Sequence, residues 1–224
     1  MVYTYSMTRR VEFASDEIYH VYNRGTEKRK IYLSTTDYER FLALLCLCNQ
    51  KDRIDERIDR RDLAEVLQLP RGLPLVDIAA YCLMPNHFHL ILHEISGDGI
   101  SRFMQKLMTG YTMYFNARHE RNGVLFQGKF KAIHAKDDRY LKYLIAYVHL
   151  NPIELTKIFE KERLSVSKEV RSLNSYPYSS YLDYCGKKRA ENVIVNRCVL
   201  PDYFSTPSKF RSHIKEWLEY GRVR

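Results

Sequence analysis

Apolar residues recur with two different periods along the chain, and these periods divide it into strands and helices. Aromatic and β-branched residues dominate residues 17–22, which predicts a strand that ends in a turn at Asn23-Arg24-Gly25. Residues 38–48 carry apolar side chains three and four positions apart, after the helix-capping types Ser34-Thr35-Thr36. The chain therefore opens with a strand and an amphipathic helix.

Two apolar runs in the middle of the chain, residues 76–84 and 88–92, are separated by Pro85-Asn86. They predict either two adjacent strands joined by a turn or one interrupted strand. The later elements follow in this order: a helix over residues 100–118, a loop and short strand over 123–135, a helix over 139–150 ended by Asn151-Pro152, and a terminal helix over 208–220.

This order of elements predicts an α+β fold, a ferredoxin-like sandwich with an antiparallel sheet and helices on one face. Residues 51–74 interleave charges of both signs and end in Pro70-Arg71-Gly72-Leu73-Pro74, which predicts a charged and solvated insertion. We interpret the chain as one catalytic domain over residues 1–185, followed by a helical C-terminal extension over 186–224.

Composition narrows the compartment and the class of partner. A formal net charge of +9 and a pI near 9.2 favour a polyanionic partner. The five cysteines include no Cys-x-x-Cys pair, so we predict neither a disulfide framework nor a cysteine zinc site, and a reducing cytoplasm fits best. No apolar run approaches the roughly 18 residues that span a bilayer, which predicts a cytoplasmic protein without a membrane partner.

Two histidines alternate with an aromatic residue in the second apolar run. On a strand, His87 and His89 point to the same face while Phe88 points into the core. Two neutral imidazoles at this spacing can converge on one divalent ion, Mg²⁺ or Mn²⁺, and leave room for an oxygen ligand, substrate and water. Spacing does not exclude the other histidines as ligands: His20, His93, His119, His134, His149 and His213.

A stripe of tyrosines follows the predicted helix over residues 139–150. Tyr140, Tyr143 and Tyr147 are three and four positions apart, so periodicity does not choose among them. Tyr147 differs because Asn151 lies four residues later on the same helical face. This pair places a phenol beside a carboxamide, a nucleophile beside a candidate third metal ligand.

Three motifs in this order, MPNHFHLIL, LFQGKFKA and YVHLNP, resemble the REP-associated tyrosine transposases and the wider transposases of single-strand insertion sequences. The resemblance covers residues 19–184 and includes an aromatic-Ser-Ser turn at Tyr176 to Tyr181. It implies that His87 and His89 are the HUH histidines and metal ligands, that Tyr147 is the nucleophile, and that Asn151 is the candidate third ligand. Relatives often carry Gln at that last position, and this chain departs from them with the shorter Asn.

The implied activity is cutting and rejoining of single-stranded DNA at hairpins or palindromic repeats, through a 5'-phosphotyrosine intermediate, for transposition or repeat processing. Monomer and homodimer both stay open. Basic and aromatic residues on the predicted loops and helices are the candidate DNA contacts: Asn23, Arg24, Arg102, Lys106, Arg118, Phe126, Lys129, Phe130 and Lys131. Three alternatives stand beside this reading, namely a nucleic-acid-binding regulator without catalysis, an HUH replication initiator or relaxase, and a metallohydrolase that uses the histidines alone.

Overall fold

A four-stranded antiparallel sheet forms the centre of the computed structural model of this chain, which describes residues 12–52, 61–155 and 165–223. The strands are β1 (Ile18–Arg24), β2 (Val76–Met84), β3 (His87–Glu94) and β4 (Lys131–His134), in the spatial order β2-β3-β1-β4. The predicted α+β fold with an antiparallel sheet is confirmed. The first of the two readings of Pro85-Asn86 is also confirmed, because β2 and β3 pair as a hairpin across it.

One face of the sheet is covered by helices α1 (Thr35–Leu47) and α3 (Gly99–Arg118). The Asp37 carboxylate accepts from the Ser34 backbone N–H at 2.9 Å at the start of α1, so the predicted capping segment lies where the helix begins. The core on this face is aromatic and aliphatic, with fully buried members from both helices and all of the central strands: Val21, Phe41, Leu45, Phe88, Leu90, Phe103, Leu107 and Tyr111.

Helices also cover the opposite face, which differs from the predicted arrangement with helices on one face only. Helix α4 (Asp138–Leu150) packs on β2 and β3, and the short helices α5 (Val166–Ser175) and α6 (Tyr181–Tyr184) lie beside it. Helix α7 (Pro207–Val223) packs against α4 through Phe210 and Ile214. The apolar side chains of β2 explain this arrangement, because they are buried on both sides of the strand, which is typical of a strand covered twice.

The charged insertion is less solvated than its sequence predicts. Residues 53–60 lie outside the described residues, but helix α2 (Leu63–Leu67) buries Val66 and Leu67 against α1. These two apolar residues are hidden among charged neighbours, and they attach the segment to the core. Within the described residues, no helix is both long and apolar enough to cross a membrane.

Candidate active site

The face of the sheet beneath α4 carries a row of polar side chains from two adjacent strands. His87 and His89 point to this face from β3, as their spacing predicts, while Phe88 is buried on the other face. His20, Tyr22 and Arg24 share the parity of this face on β1, where Tyr22 pairs with His89 and Arg24 pairs with His87.

His87 and His89 each have a neighbour within hydrogen-bonding distance of the Nδ1 atom. His87 Nδ1 lies 2.6 Å from Asn86 Oδ1, and the Asn86 amide donates to the Lys28 carbonyl, which fixes which end of the amide faces the ring. Because a carboxamide oxygen only accepts, His87 Nδ1 carries the proton and its Nε2 carries the lone pair. His89 Nδ1 lies 2.8 Å from Nε2 of His20.

These rings are neutral at physiological pH. Burial, followed by the nearby Arg24 charge, lowers the pKa of His87 to about 4, and burial lowers the pKa of His20 to about 4. Burial and then the charges of His20 and His87 hold the pKa of His89 well below its usual range. A neutral imidazole is the form that binds a divalent metal.

The free atoms of this cluster fit a cation. Among the described residues, the buried Nε2 of His89 has no hydrogen-bond partner. A buried polar atom without a partner is unusual, and a bound ion is one way to satisfy it. The Asn151 amide nitrogen donates to the Tyr147 carbonyl at 2.8 Å, and the Asn151 side chain also interacts with His87. A hydrogen bond between His87 and Asn151 raises the His87 pKa, the sign expected when the Asn151 oxygen accepts from the protonated ring. In the neutral site, His87 Nε2 and the Asn151 oxygen are both hydrogen-bond acceptors, and such a pair is suited to sharing a cation.

Within the described part of the chain, no three His, Cys, Asp or Glu side chains converge as a metal-binding group. A divalent ion at this place would therefore be held by two imidazoles and the Asn151 carboxamide, with remaining positions for substrate and water. Such a ligand set would be typical of an open site rather than a closed structural one.

Tyr147 lies against this histidine cluster. Its ring centroid is 5.3 Å from that of His89 and 5.8 Å from that of His20, in edge-on arrangements. Burial and the negative charge of Glu154 raise the Tyr147 pKa, while a hydrogen bond from Asn151 acts in the opposite direction. The phenol is therefore protonated at neutral pH and has to lose a proton before it can attack.

The tertiary structure separates the three tyrosines that periodicity left equal. Tyr140 and Tyr143 continue the stripe along α4, with ring centroids 5.9 Å apart and Tyr143 6.0 Å from Tyr147. Within the described residues, ring contacts join Tyr147, and neither of the other two, to the site histidines. Tyr147 is thus the member of the stripe placed for chemistry at this cluster.

Two of the predicted DNA-contacting cations border the site. Arg24 is exposed at the end of β1, where it pairs with His87. Lys131 is exposed on β4 and pairs with Tyr22, so it shares the face of the site, and exposed Lys129 lies in the loop just before this strand. These cations give the open end of the site a positive charge, which suits a phosphate backbone.

The structure places the other predicted contacts elsewhere. Asn23 is buried on the opposite face, where its amide donates to the Gly128 carbonyl at 3.1 Å and contacts Met108 Sδ. Phe126 is a core residue packed on Phe88 and Tyr111. Asparagine and phenylalanine side chains often contact DNA. Asn23 and Phe126 are buried instead, and they hold the basic, glycine-containing loop against the sheet.

The predicted contacts on α3 have protein partners and lie across the sheet from the site. Lys106 donates to the carbonyls of Gln50 and Asp52, while Arg102 and Arg118 form ion pairs with Asp98 at 3.7 Å and Asp37 at 3.6 Å. Phe130 packs against Phe13, with ring centroids 6.2 Å apart. The predicted phosphate contacts Arg102, Lys106 and Arg118 therefore lie on a helix whose apolar stripe packs on the face that lacks the histidine cluster.

His20 is the site residue that sequence reasoning did not select. It was one of six histidines that spacing left as competitors, and it is 4% exposed beneath Tyr147. His20 can be recognised as a site residue only once the strand pairing is known, because β1 must lie beside β3 in the observed register to bring His20 to His89.

Comparison with known proteins agrees with this fold and this arrangement of motifs. Residues 41–151 match the sequence model of the IS200-like transposases, a segment that contains His87, His89, Tyr147 and Asn151. No curated protein matches the chain. A solved structure of a REP-associated tyrosine transposase, bound to a REP hairpin, has a similar fold: the TM-score is 0.51 at 12% identity, over 84% of this chain and 90% of the other. The segment 41–151, just under half of the chain, therefore carries the sequence pattern of the IS200-like transposases, and the similar solved structure shows the same fold.

Proposed function

We propose that this protein is a single-stranded DNA endonuclease and transesterase that cuts and rejoins DNA at hairpins through a covalent 5'-phosphotyrosine at Tyr147. The observation that carries the proposal is the contact of the Tyr147 ring with His89, on a face where His87 and Asn151 also converge. Its biological setting is transposition or the processing of palindromic repeats, in keeping with the family.

His87, His89 and Asn151 are the residues that would hold Mg²⁺ or Mn²⁺ in this scheme. When bound, the ion supplies Lewis-acid stabilisation of charge on the scissile phosphate and on the departing oxygen. The side chains around it orient the ligands: Asn86 holds the His87 ring, and His20 holds the His89 ring.

In the covalent step, Tyr147 Oη attacks the phosphorus and loses its proton. A new bond joins Oη to the phosphorus, the bond from phosphorus to the 3' oxygen breaks, and that oxygen leaves with the electron pair and takes up a proton. The intermediate keeps the energy of a phosphodiester, so a second 3'-OH can attack it and release the Tyr147 phenol without ATP. The products are rejoined strands and the original side chain.

Single-stranded hairpin DNA is the proposed substrate for two reasons. Arg24 and Lys131 present positive charge on the face of the sheet that carries His87 and His89, where a phosphate backbone would enter. The REP-associated transposase of similar fold was solved with a REP hairpin, which makes a hairpin the first DNA to test.

The test is to incubate the protein with a single-stranded hairpin oligonucleotide and Mn²⁺ and to look for a covalent adduct in a denaturing gel. We expect the adduct with the unaltered chain and with Tyr140→Phe, a matched change on the same helical stripe. Tyr147→Phe should form none, because it removes the attacking oxygen and keeps the ring. An adduct formed by Tyr147→Phe would refute the assignment of the nucleophile.

A further inference from the structure

A continuous row of aromatic side chains leads from the predicted nucleophile to the C-terminal helix. Tyr143 stacks on Tyr147, with centroids 6.0 Å apart and ring planes 29° from parallel. The ring centroid of Trp217 on α7 is 5.3 Å from that of Tyr143, and the centroid of Tyr220 is 5.6 Å from that of Trp217. We call these four residues the aromatic row.

The outer end of the aromatic row opens into a groove between α4 and α7. The groove has a volume of about 640 Å³, within the range of small-molecule sites, and Trp217 and Tyr220 form one of its walls. Arg139 and Lys142 line the groove from α4. The groove thus combines flat ring surfaces with two cations.

Packing of α7 onto the domain partly buries Trp217 but leaves much of the surface of the rings on either side of it exposed. Phe210, Ile214 and Leu218 are the α7 residues buried against α4, at 0, 1 and 8% exposure. Tyr143 and Tyr220 keep 38 and 49% of their surface exposed. Contiguous exposed aromatic surface is a mark of a binding site, whereas isolated exposed apolar residues are ordinary.

We infer that the aromatic row binds unpaired bases of single-stranded DNA next to the cleavage point, an inference that rests on the proposed function. The strand that places a phosphate at Tyr147 must leave the site, and the rings give it a path along α4. Tyrosine and tryptophan rings stack on any base, so this binding would be tolerant of sequence. The C-terminal helix then supplies part of the substrate site.

Charges in the groove predict how this binding responds to salt. Arg139 and Lys142 are balanced by the acidic Asp138 and Glu216, and Asp138 also accepts a hydrogen bond from Tyr203. Binding in a groove of balanced charge depends on stacking more than on counterion release. Loss of a ring should therefore weaken binding and leave its salt dependence unchanged.

Trp217 is the single tryptophan of the chain, so its fluorescence reports directly on this groove. The experiment titrates a short oligo-dT strand into the full-length Tyr147→Phe variant without metal, which keeps every ring and excludes cleavage. We expect quenching of Trp217 fluorescence by the single strand. A blunt, fully paired duplex of two strands, which has no unpaired bases, should quench little.

Anisotropy of a labelled oligo-dT strand then measures the affinity of ring variants. Tyr220→Leu and Trp217→Ala should each weaken binding about tenfold, with the same salt slope, and Trp217→Phe should recover most of the loss because it restores a ring. Met113→Ala removes an exposed apolar side chain from α3, across the sheet, and should bind as the parent does. Tyr220 is largely exposed, so its variant tests the row even if Trp217→Ala folds poorly.

Unchanged affinity in Tyr220→Leu and Trp217→Ala, with no quenching by oligo-dT, would overturn the inference. So would a protein-concentration-dependent change in Trp217 fluorescence without DNA that Tyr220→Leu abolishes, since it would assign the groove to a second copy of the chain. Failure of the proposed function is distinct. It would appear as a missing adduct in the cleavage assay while oligo-dT still quenches Trp217.

Discussion

His20 Nε2 lies 2.8 Å from His89 Nδ1, and this contact ties strand β1 to the predicted metal-binding strand β3. With Nδ1 of His89 engaged, the atom left without a partner is its buried Nε2. A histidine ligand is commonly oriented in this way by a hydrogen bond at its other nitrogen. His20 is thus a positioning residue for the proposed site.

Replacement of His20 tests that positioning role. His20→Phe keeps an aromatic ring and removes the acceptor, so Mn²⁺ affinity measured by calorimetry should fall about 10- to 100-fold. His20→Gln offers a side-chain oxygen as acceptor and should retain affinity within a few-fold. Equal Mn²⁺ binding by His20→Phe and the unaltered chain would show that His89 needs no such partner.

Asn151 is predicted to supply an oxygen to the same ion. Asn151→Ala removes that oxygen, and we expect about tenfold weaker Mn²⁺ binding together with slower adduct formation. Asn151→Gln keeps the carboxamide group and is the matched control, for which we expect a smaller loss. If Asn151→Ala binds Mn²⁺ as tightly as the unaltered chain, the carboxamide is not a ligand, and its remaining role is to hold the end of α4 through the Tyr147 carbonyl.

Arg24 is expected to contact a phosphate of the bound strand. Arg24→Ala should weaken the binding of a single-stranded hairpin and reduce the slope of log affinity against log salt by about 0.7, the value for one phosphate contact on a single strand. Arg102→Ala is the control, because it removes the same charge from α3 on the opposite side of the sheet. An equal effect of both changes would mean that net charge, and not the position of Arg24, attracts the DNA.

Acid should destabilise the protein through its buried neutral histidines. His149 is fully buried between the Ile145 carbonyl and Ser180, and burial lowers its pKa to about 3. The unfolded chain takes up a proton at this residue below about pH 6.5 and the folded chain does not, so stability falls as pH decreases from there towards 3. The contribution of His149 to this loss is about 2 kcal/mol between pH 7 and pH 5.

Urea unfolding of the metal-free protein at pH 7 and pH 5 measures this loss. His149→Gln lowers stability at both pH values because it disturbs the core, but the difference between the two should shrink by about 2 kcal/mol. A pH dependence identical to that of the unaltered chain would show that His149 is already protonated in the folded state.

The short-range pattern of apolar and polar residues was enough to predict the main strands and helices and the shared orientation of His87 and His89. The alternation of His87, Phe88 and His89 determines which side chains share a face of a strand, and the helical spacing of apolar residues determines where α1, α3 and α4 lie along the chain. Both depend only on backbone periods, which act over a few residues.

Burial and partners across the sheet could not be predicted in the same way. Asn23 and Phe126 are residue types expected at a DNA-binding surface. They face the core because β1 pairs with β4 and the loop before β4 packs over α3. Helix α3 carries basic residues, and its apolar stripe decides that it packs away from the histidines. These outcomes depend on long-range contacts that no local pattern contains.

The sequence by itself determined the strands and helices, the shared face of His87 and His89, and the family to which the motifs point. Only the tertiary structure brought the Tyr147 ring against His89, added His20 to the site, and brought Trp217 beside Tyr143. The physical reason is distance along the chain: backbone periods relate residues a few positions apart, whereas these contacts join residues about 60 to 130 positions apart through sheet pairing and helix packing.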